Sequence, residues 1–166
     1  MAKSQYLLLL CVLALGCSDD PEPDVRVQAT GEYSFTGKYY YIAGGELISV
    51  GSDFNNRGSL SIVSDPNDAN SILITDLADG KDIFRGVNIS TAAEGFSFEV
   101  PSQKLGESTP AFMIQGYKGA ALQSGQLAPR YHGVYLSATN ELIFYWQFDQ
   151  ANTGFHFVSG YECVKK

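Results

Sequence analysis

Several things are scarce or missing in this 166-residue chain, and each absence narrows what the protein is. Beyond residue 17 no segment repeats apolar residues at helical spacing, which leaves an all-β reading. No apolar run reaches the ~18 to 20 residues needed to cross a bilayer as a helix; the longest, Tyr6 to Leu15, is about ten. Cysteine is rare. Cys11 and Cys17 sit near the N-terminus and Cys163 stands alone beyond them, so no internal disulfide staples the fold. Positive charge is in short supply, with 11 basic residues against 18 acidic ones and a net charge of −7. Such a surface repels nucleic acid and anionic head groups, so neither is an expected partner.

The signatures of catalysis are missing too. There is no Gly-Xaa-Ser-Xaa-Gly elbow, no His-Glu-Xaa-Xaa-His helix, no phosphate-binding glycine loop and no Cys-Xaa-Xaa-Cys pair. The two histidines, His132 and His156, are each flanked by strand residues and read as sheet histidines rather than bases or ligands. Glu99, Glu141, Asp149 and Glu162 are too scattered for a carboxylate dyad to be read without knowing the register. Cys163 alternates within a strand and is expected to be buried and unreactive. Asp65-Pro66-Asn67-Asp68-Ala69-Asn70 is rich in oxygen ligands but departs from the EF-hand spacing at Ala69, so it reads as a turn. The expectation is a binding protein rather than an enzyme, with no cofactor and no metal.

What is present begins at the N-terminus. Lys3 and the short apolar run have the layout of a cleavable signal, and Ala14-Leu15-Gly16-Cys17 resembles the lipobox of bacterial lipoproteins. That resemblance implies removal of residues 1–16 and lipidation of Cys17, a stable anchor because buried acyl chains contribute ~0.8 kcal/mol per CH₂. Ser18-Asp19-Asp20 and Glu22 resemble the acidic surface-export signal of Bacteroidetes lipoproteins, which implies a cell-surface location on the outer membrane. Residues 17–30 hold Pro21 and Pro23, show no apolar periodicity, and read as an acidic flexible tether able to extend ~40 Å.

Residues 31–166 read as one domain, long enough to bury roughly 70% of its unfolded surface. The spacing predicts strands over 31–42, 46–50, 58–64, 71–76, 83–89, 96–100, 111–117, 131–137, 141–150 and 155–164, separated by Gly, Asn, Asp and Pro turns. Tyr33, Phe35, Tyr39 and Tyr41 share one face of the first strand. Gly37 interrupts that face and is expected to bend it. In the strand over 141–150 both faces are apolar, with Leu142, Phe144, Trp146 and Phe148 on one side. Lys118 to Pro129 is irregular, either a rim loop or a plain surface connection.

Sequential hairpins favour an antiparallel up-and-down barrel of eight to ten strands over a β-sandwich. The opening strand Gly31-Xaa-Tyr33-Xaa-Phe35-Xaa-Gly37-Xaa-Tyr39, with a closing sheet at the C-terminus, resembles the lipocalin-like or calycin-like small lipoproteins of the Bacteroidetes. Gly31-Glu32-Tyr33 stands where lipocalins carry Gly-Xaa-Trp. Two functions follow as expectations. One is a binding module that holds a small apolar or aromatic ligand against Tyr39, Phe144, Trp146 and Phe148. The other is a surface module that docks a glycan or an envelope protein through exposed tyrosines such as Tyr40 and Tyr145.

Overall fold

The alternating runs pair side by side into one sheet that closes on itself. The computed structural model describes residues 23–43, 46–51, 56–78, 80, 83–92, 94–105, 112–118, 121–122, 131–149 and 156–166. Cys17, the signal segment and the first part of the tether lie outside them. Among the described residues are one short helix, α1 (Arg26–Ala29), and twelve strands: β1 (Gly31–Ala43), β2 (Glu46–Ser49), β3 (Asn56–Ser64), β4 (Ser71–Asp76), β5 (Ile83–Ala92), β6 (Gly95–Glu99), β7 (Gln103–Leu105), β8 (Phe112–Gly116), β9 (Ala121–Leu122), β10 (Gly133–Leu136), β11 (Glu141–Asp149) and β12 (His156–Lys165).

Eight of them form a closed antiparallel ring in the order β1-β3-β4-β5-β6-β10-β11-β12, with β12 returning to β1. The up-and-down barrel is therefore the fold, and it is consistent with a lipocalin-like architecture. The other four strands are short additions. β3 covers β1 as far as Gly37 and β2 pairs with its last residues, Tyr40 to Ala43. Likewise β10 pairs with β11 up to Phe144, and β8 takes over from Trp146 to Phe148. β7 flanks β8, and β9 runs parallel to β2. The irregular 118–129 region thus contains β9, while residues 123–130 lie outside the description.

Alternation sends every second side chain inward. Across β11, β12 and β1 the register stacks these into rows: Leu142–Cys163–Phe35, then Phe144–Tyr161–Gly37, then Trp146–Ser159–Tyr39, then Phe148–Phe157–Tyr41. The first two rows are packed solid. Tyr161 stacks on Phe35 with centroids 4.6 Å apart and meets Phe144 at 5.1 Å, and Phe84 meets Phe144 edge-on at 5.5 Å. An eight-stranded barrel is narrow enough for its own side chains to fill, and each buried ring contributes about 1.5–3 kcal/mol.

The pairing of β1 carries no bulge at Gly37. β1 pairs with β12 from Tyr33 to Tyr41 without a register shift. A Cβ at Gly37 would lie 2.9 Å from Tyr161 Cε1, so the glycine makes room for that ring. The register shift falls in β5, between Val87 and Ser90, where Asn88 takes φ +54° and donates from Nδ2 to Glu99.

The stretch read as a solvated tether also differs over Asp24–Thr30. A four-residue helix has almost no stability of its own, yet α1 is held against one end of the barrel. Ala29 is fully buried and Arg26 is only 9% exposed. Arg26 Nη1 donates to the carbonyls of Asp68 (2.8 Å) and Ser71 (3.0 Å), and its other nitrogens clasp Asp24. Tyr33 donates to the Ala29 carbonyl at 2.7 Å, while Tyr135 and Lys165 each donate to that of Gln28 at 2.9 Å. The chain plugs the barrel at this end, because the inner aromatic hydroxyls there need acceptors and the helix carbonyls supply them.

The oxygen-rich segment 65–70 is a turn beneath this plug. Asp65 accepts from the Asn67 amide at 2.9 Å and from the Ser71 hydroxyl at 3.1 Å, and Arg85 pairs with both Asp65 and Asp68. The Asn67 amide bond, with help from Ser71 and Arg85, holds the Asp65 carboxyl below its usual range.

Candidate functional site

The end of the barrel away from α1 is where the inner rows change character. Going up from the packed row of Phe144 and Tyr161, the next row is Trp146–Ser159–Tyr39 and the last is Phe148–Phe157–Tyr41. Trp146 lies 5.6 Å from Phe84, 5.6 Å from Phe148 and 6.0 Å from Tyr161, centroid to centroid. Phe148 stacks on Phe157 at 5.6 Å with their planes 17° apart. Tyr39, Phe148 and Phe157 are half-buried, and Tyr41, past the rim, is exposed. The result is an aromatic collar above a filled core.

Of the four residues proposed to hold a ligand, the structure brings three together. Tyr39 and Trp146 are the two cross-strand neighbours of Ser159, and Phe148 packs on Trp146. Phe144 lies one row deeper, fully buried between Phe84 and Tyr161, and acts as the floor of the collar. Sequence reasoning missed Ser159 and Phe157. Their signal was the alternation Phe157, Ser159, Tyr161, which places all three on the face opposite Val158.

Two polar atoms in this region stand out. Trp146 Nε1 and Ser159 Oγ are both buried without a hydrogen-bond partner among the described residues. Trp146 is 6% exposed and Ser159 is not exposed at all. They belong to register partners on adjacent strands, whose Cβ atoms sit ~5 Å apart in such a pair.

The outer face at the same end carries a second, smaller core. Tyr40, Leu47 and Val158 are buried there, with Tyr117 and Tyr145 packed against them. Tyr40 and Tyr145 are thus not the exposed docking tyrosines expected from the sequence. The Tyr145 ring lies over Gly160, where a Cβ would approach its Cε1 to 2.6 Å, and burial pushes the Tyr40 phenol up to about 12. Both faces of β11 are covered at this end, as its apolar alternation implied.

The remaining chemistry-bearing residues serve the framework. His132 Nδ1 accepts the Val100 amide at 3.1 Å, and its carbonyl accepts the Tyr145 amide at 2.8 Å. The ring lies against Gly116, between the last residue of β8 and the first of β10. Burial, reinforced by Lys118, lowers its pKa, in keeping with an Nδ1 that must stay unprotonated to accept. Glu162 pairs with Lys38 at 2.6 Å, Glu99 accepts from Asn88 and Glu141 from Thr139. Asp149 and His156 are register partners, and their side chains lie outside the description. Cys163 is buried, and desolvation drives its thiol pKa far up.

Glu141 and Glu162 also line an outer-wall groove of about 350 Å³ with Thr36, Ile143, Cys163 and Val164. Among the described residues no three His, Cys, Asp or Glu side chains come together as a metal-binding group. The class defined by this fold is a closed antiparallel β-barrel with one plugged end and one aromatic end. No protein-family model, curated protein or solved structure matches the chain.

Proposed function

We propose that this protein is an envelope lipoprotein of the Bacteroidetes type. In this reading Cys17 is acylated, residues 1–16 are removed, and the barrel is held at the outer membrane facing outward. Its role is to bind a small apolar or aromatic molecule at the end away from α1, without chemical conversion, and neither nucleic acid nor a cofactor takes part. The observation that supports this most is the aromatic collar, in which half-buried Tyr39, Phe148 and Phe157 stand around buried Trp146 above a floor that the barrel fills itself. Apolar walls with a few placed polar groups are what small-molecule sites are made of.

Native mass spectrometry of the protein purified from its own membrane tests the reading. A co-purified small molecule, released when Trp146 and Phe148 are both changed to alanine, is expected. A ligand that stays bound in that double variant refutes the site. For the anchor, Cys17→Ser is expected to give a folded protein that leaves the membrane fraction, and retention there would refute lipidation.

A second reading is favoured by the outer-wall groove. Exposed Val164 and half-buried Ile143 sit between Glu141 and Glu162, an apolar strip with an acidic rim. A glycan or an envelope protein is the partner that would dock there, and Val164→Arg should then abolish docking without altering the aromatic collar.

A further inference from the structure

The unpartnered pair at Trp146 and Ser159 says what kind of molecule the collar takes. Leaving a buried donor unpaired costs roughly an order of magnitude in the folding equilibrium, and nearly all buried polar groups in proteins avoid it. Here two such groups occur on adjacent strands, at the same level, on the same inner face. The indole N–H can only donate, whereas the serine hydroxyl can rotate to donate alongside it. Neither atom has accessible surface of its own, so an acceptor oxygen that met both would first have to part the collar side chains above them. On β1, β11 and β12 the rows around the pair, Trp146–Ser159–Tyr39 and Phe148–Phe157–Tyr41, carry no charged side chain. A carboxylate would find no counter-charge there, and Asp76, next after Ile72 and Ile74 on the inner face of β4, would repel it.

We infer that the collar selects a neutral, planar aromatic compound bearing a carbonyl oxygen, which accepts from Trp146 Nε1 and Ser159 Oγ together. Its ring lies among Tyr39, Phe148 and Phe157, where aromatic contacts are already the rule. The inference rests on the collar being the binding site and adds the polar requirement to it. Ser159 is then a specificity residue, and Trp146 contributes both surface and a hydrogen bond.

Trp146 is the only tryptophan in the chain, so its indole N–H gives a single assigned signal in a ¹⁵N spectrum of the labelled full chain. Two probes of matched shape, acetophenone and ethylbenzene, differ only in the carbonyl. Acetophenone is expected to move the indole N–H downfield and to bind about tenfold more tightly than ethylbenzene, the worth of one well-made hydrogen bond to a buried donor. Ser159→Ala, which removes an unpaired group and should fold at least as well, is expected to lose part of that preference, since Trp146 Nε1 remains; a preference kept at full size would take Ser159 out of the site.

Equal affinity for both probes in the unaltered protein would overturn the polar requirement and leave the collar standing. Failure of both probes to perturb Trp146 would remove the collar as a site, and the inference with it. An indole N–H that ignores both probes yet shows a magnetisation-transfer contact to a long-lived water would assign the pair to buried solvent, which also overturns the inference.

Discussion

Arg26→Ala is the sharpest test of the plug, because a residue of a solvated tether and a residue of a barrel closure respond oppositely. In the structure the guanidinium donates to two backbone carbonyls, of Asp68 and Ser71, and clasps the Asp24 carboxylate. Hydrogen bonds from a charged donor contribute about 1.5–3 kcal/mol each, but the loss here is moderated. The Asp68 carbonyl keeps the Ser71 amide and the Ser71 carbonyl keeps the Asp65 amide, and Asp24 is open enough to be resolvated. The net expectation is a loss of about 2–4 kcal/mol, which includes the apolar stem removed from its packing. With a urea slope of about 2 kcal/mol/M for a domain of this size, the midpoint should fall by about 1–2 M. Arg26→Met, which restores the stem alone, should recover a minor part. A midpoint within ~0.25 M of the unaltered protein, the range of ordinary surface substitutions, would refute the closure by α1.

His132 should give the fold a pH dependence. Its native pKa lies below the ordinary ~6.5, so the unfolded chain takes up the proton first as pH falls. Stability is then full above ~6.5, declines from there down to the lowered native value, and is level below it. Urea midpoints at pH 7.5 and 5 should show this decline, and His132→Gln should flatten it; an unchanged slope in the variant would count against the Val100–His132 bond. Gly133→Ala should destabilise by about 1–3 kcal/mol, because its Cβ would enter the Phe98 ring. Phe98→Leu in that background should restore part of the loss, and strict additivity of the two changes would show the contact to be unimportant. Cys163, buried with its thiol pKa far raised, should resist iodoacetamide at pH 8 in the folded protein and react in urea, as read by peptide mass; rapid labelling without denaturant would refute its burial.

Strand after strand was legible in the sequence where one face is buried and the other wet. Phe96, Phe98 and Val100, and Leu142, Phe144 and Trp146, lie inside as their alternation requires. The pattern was less informative where both faces are covered. Tyr39, Tyr40 and Tyr41 are three consecutive tyrosines, and alternation alone places 39 and 41 together without showing which face meets the second core. In the structure Tyr40 is buried under Leu47 and beside Val158, whereas Tyr41 points past the rim. The helix α1 was not legible at all, because a four-residue turn has no periodicity and much of what holds it comes from partners 42 to 137 residues away.

The candidate site divides in the same way. Tyr39, Trp146 and Phe148 could be named from the chain because large aromatics at even spacing identify a shared face. Ser159 could not, since a serine in a strand is unremarked until its neighbours are known. Its significance depends on the pairing of β11 with β12 and on the lack of a hydrogen-bond partner for its hydroxyl among the described residues, both of which are properties of strands brought together from separate parts of the chain.

The order of residues by itself determined that the chain is all-β, which side of each half-buried strand turns inward, and that the surface is acidic. All three depend on side-chain character and on a period of two, which are local. Closure of β12 on β1, the plug formed by Asp24–Thr30 and the meeting of Trp146 with Ser159 were decided only by tertiary structure. Each depends on which distant backbone supplies the next hydrogen bond, and no local pattern encodes that.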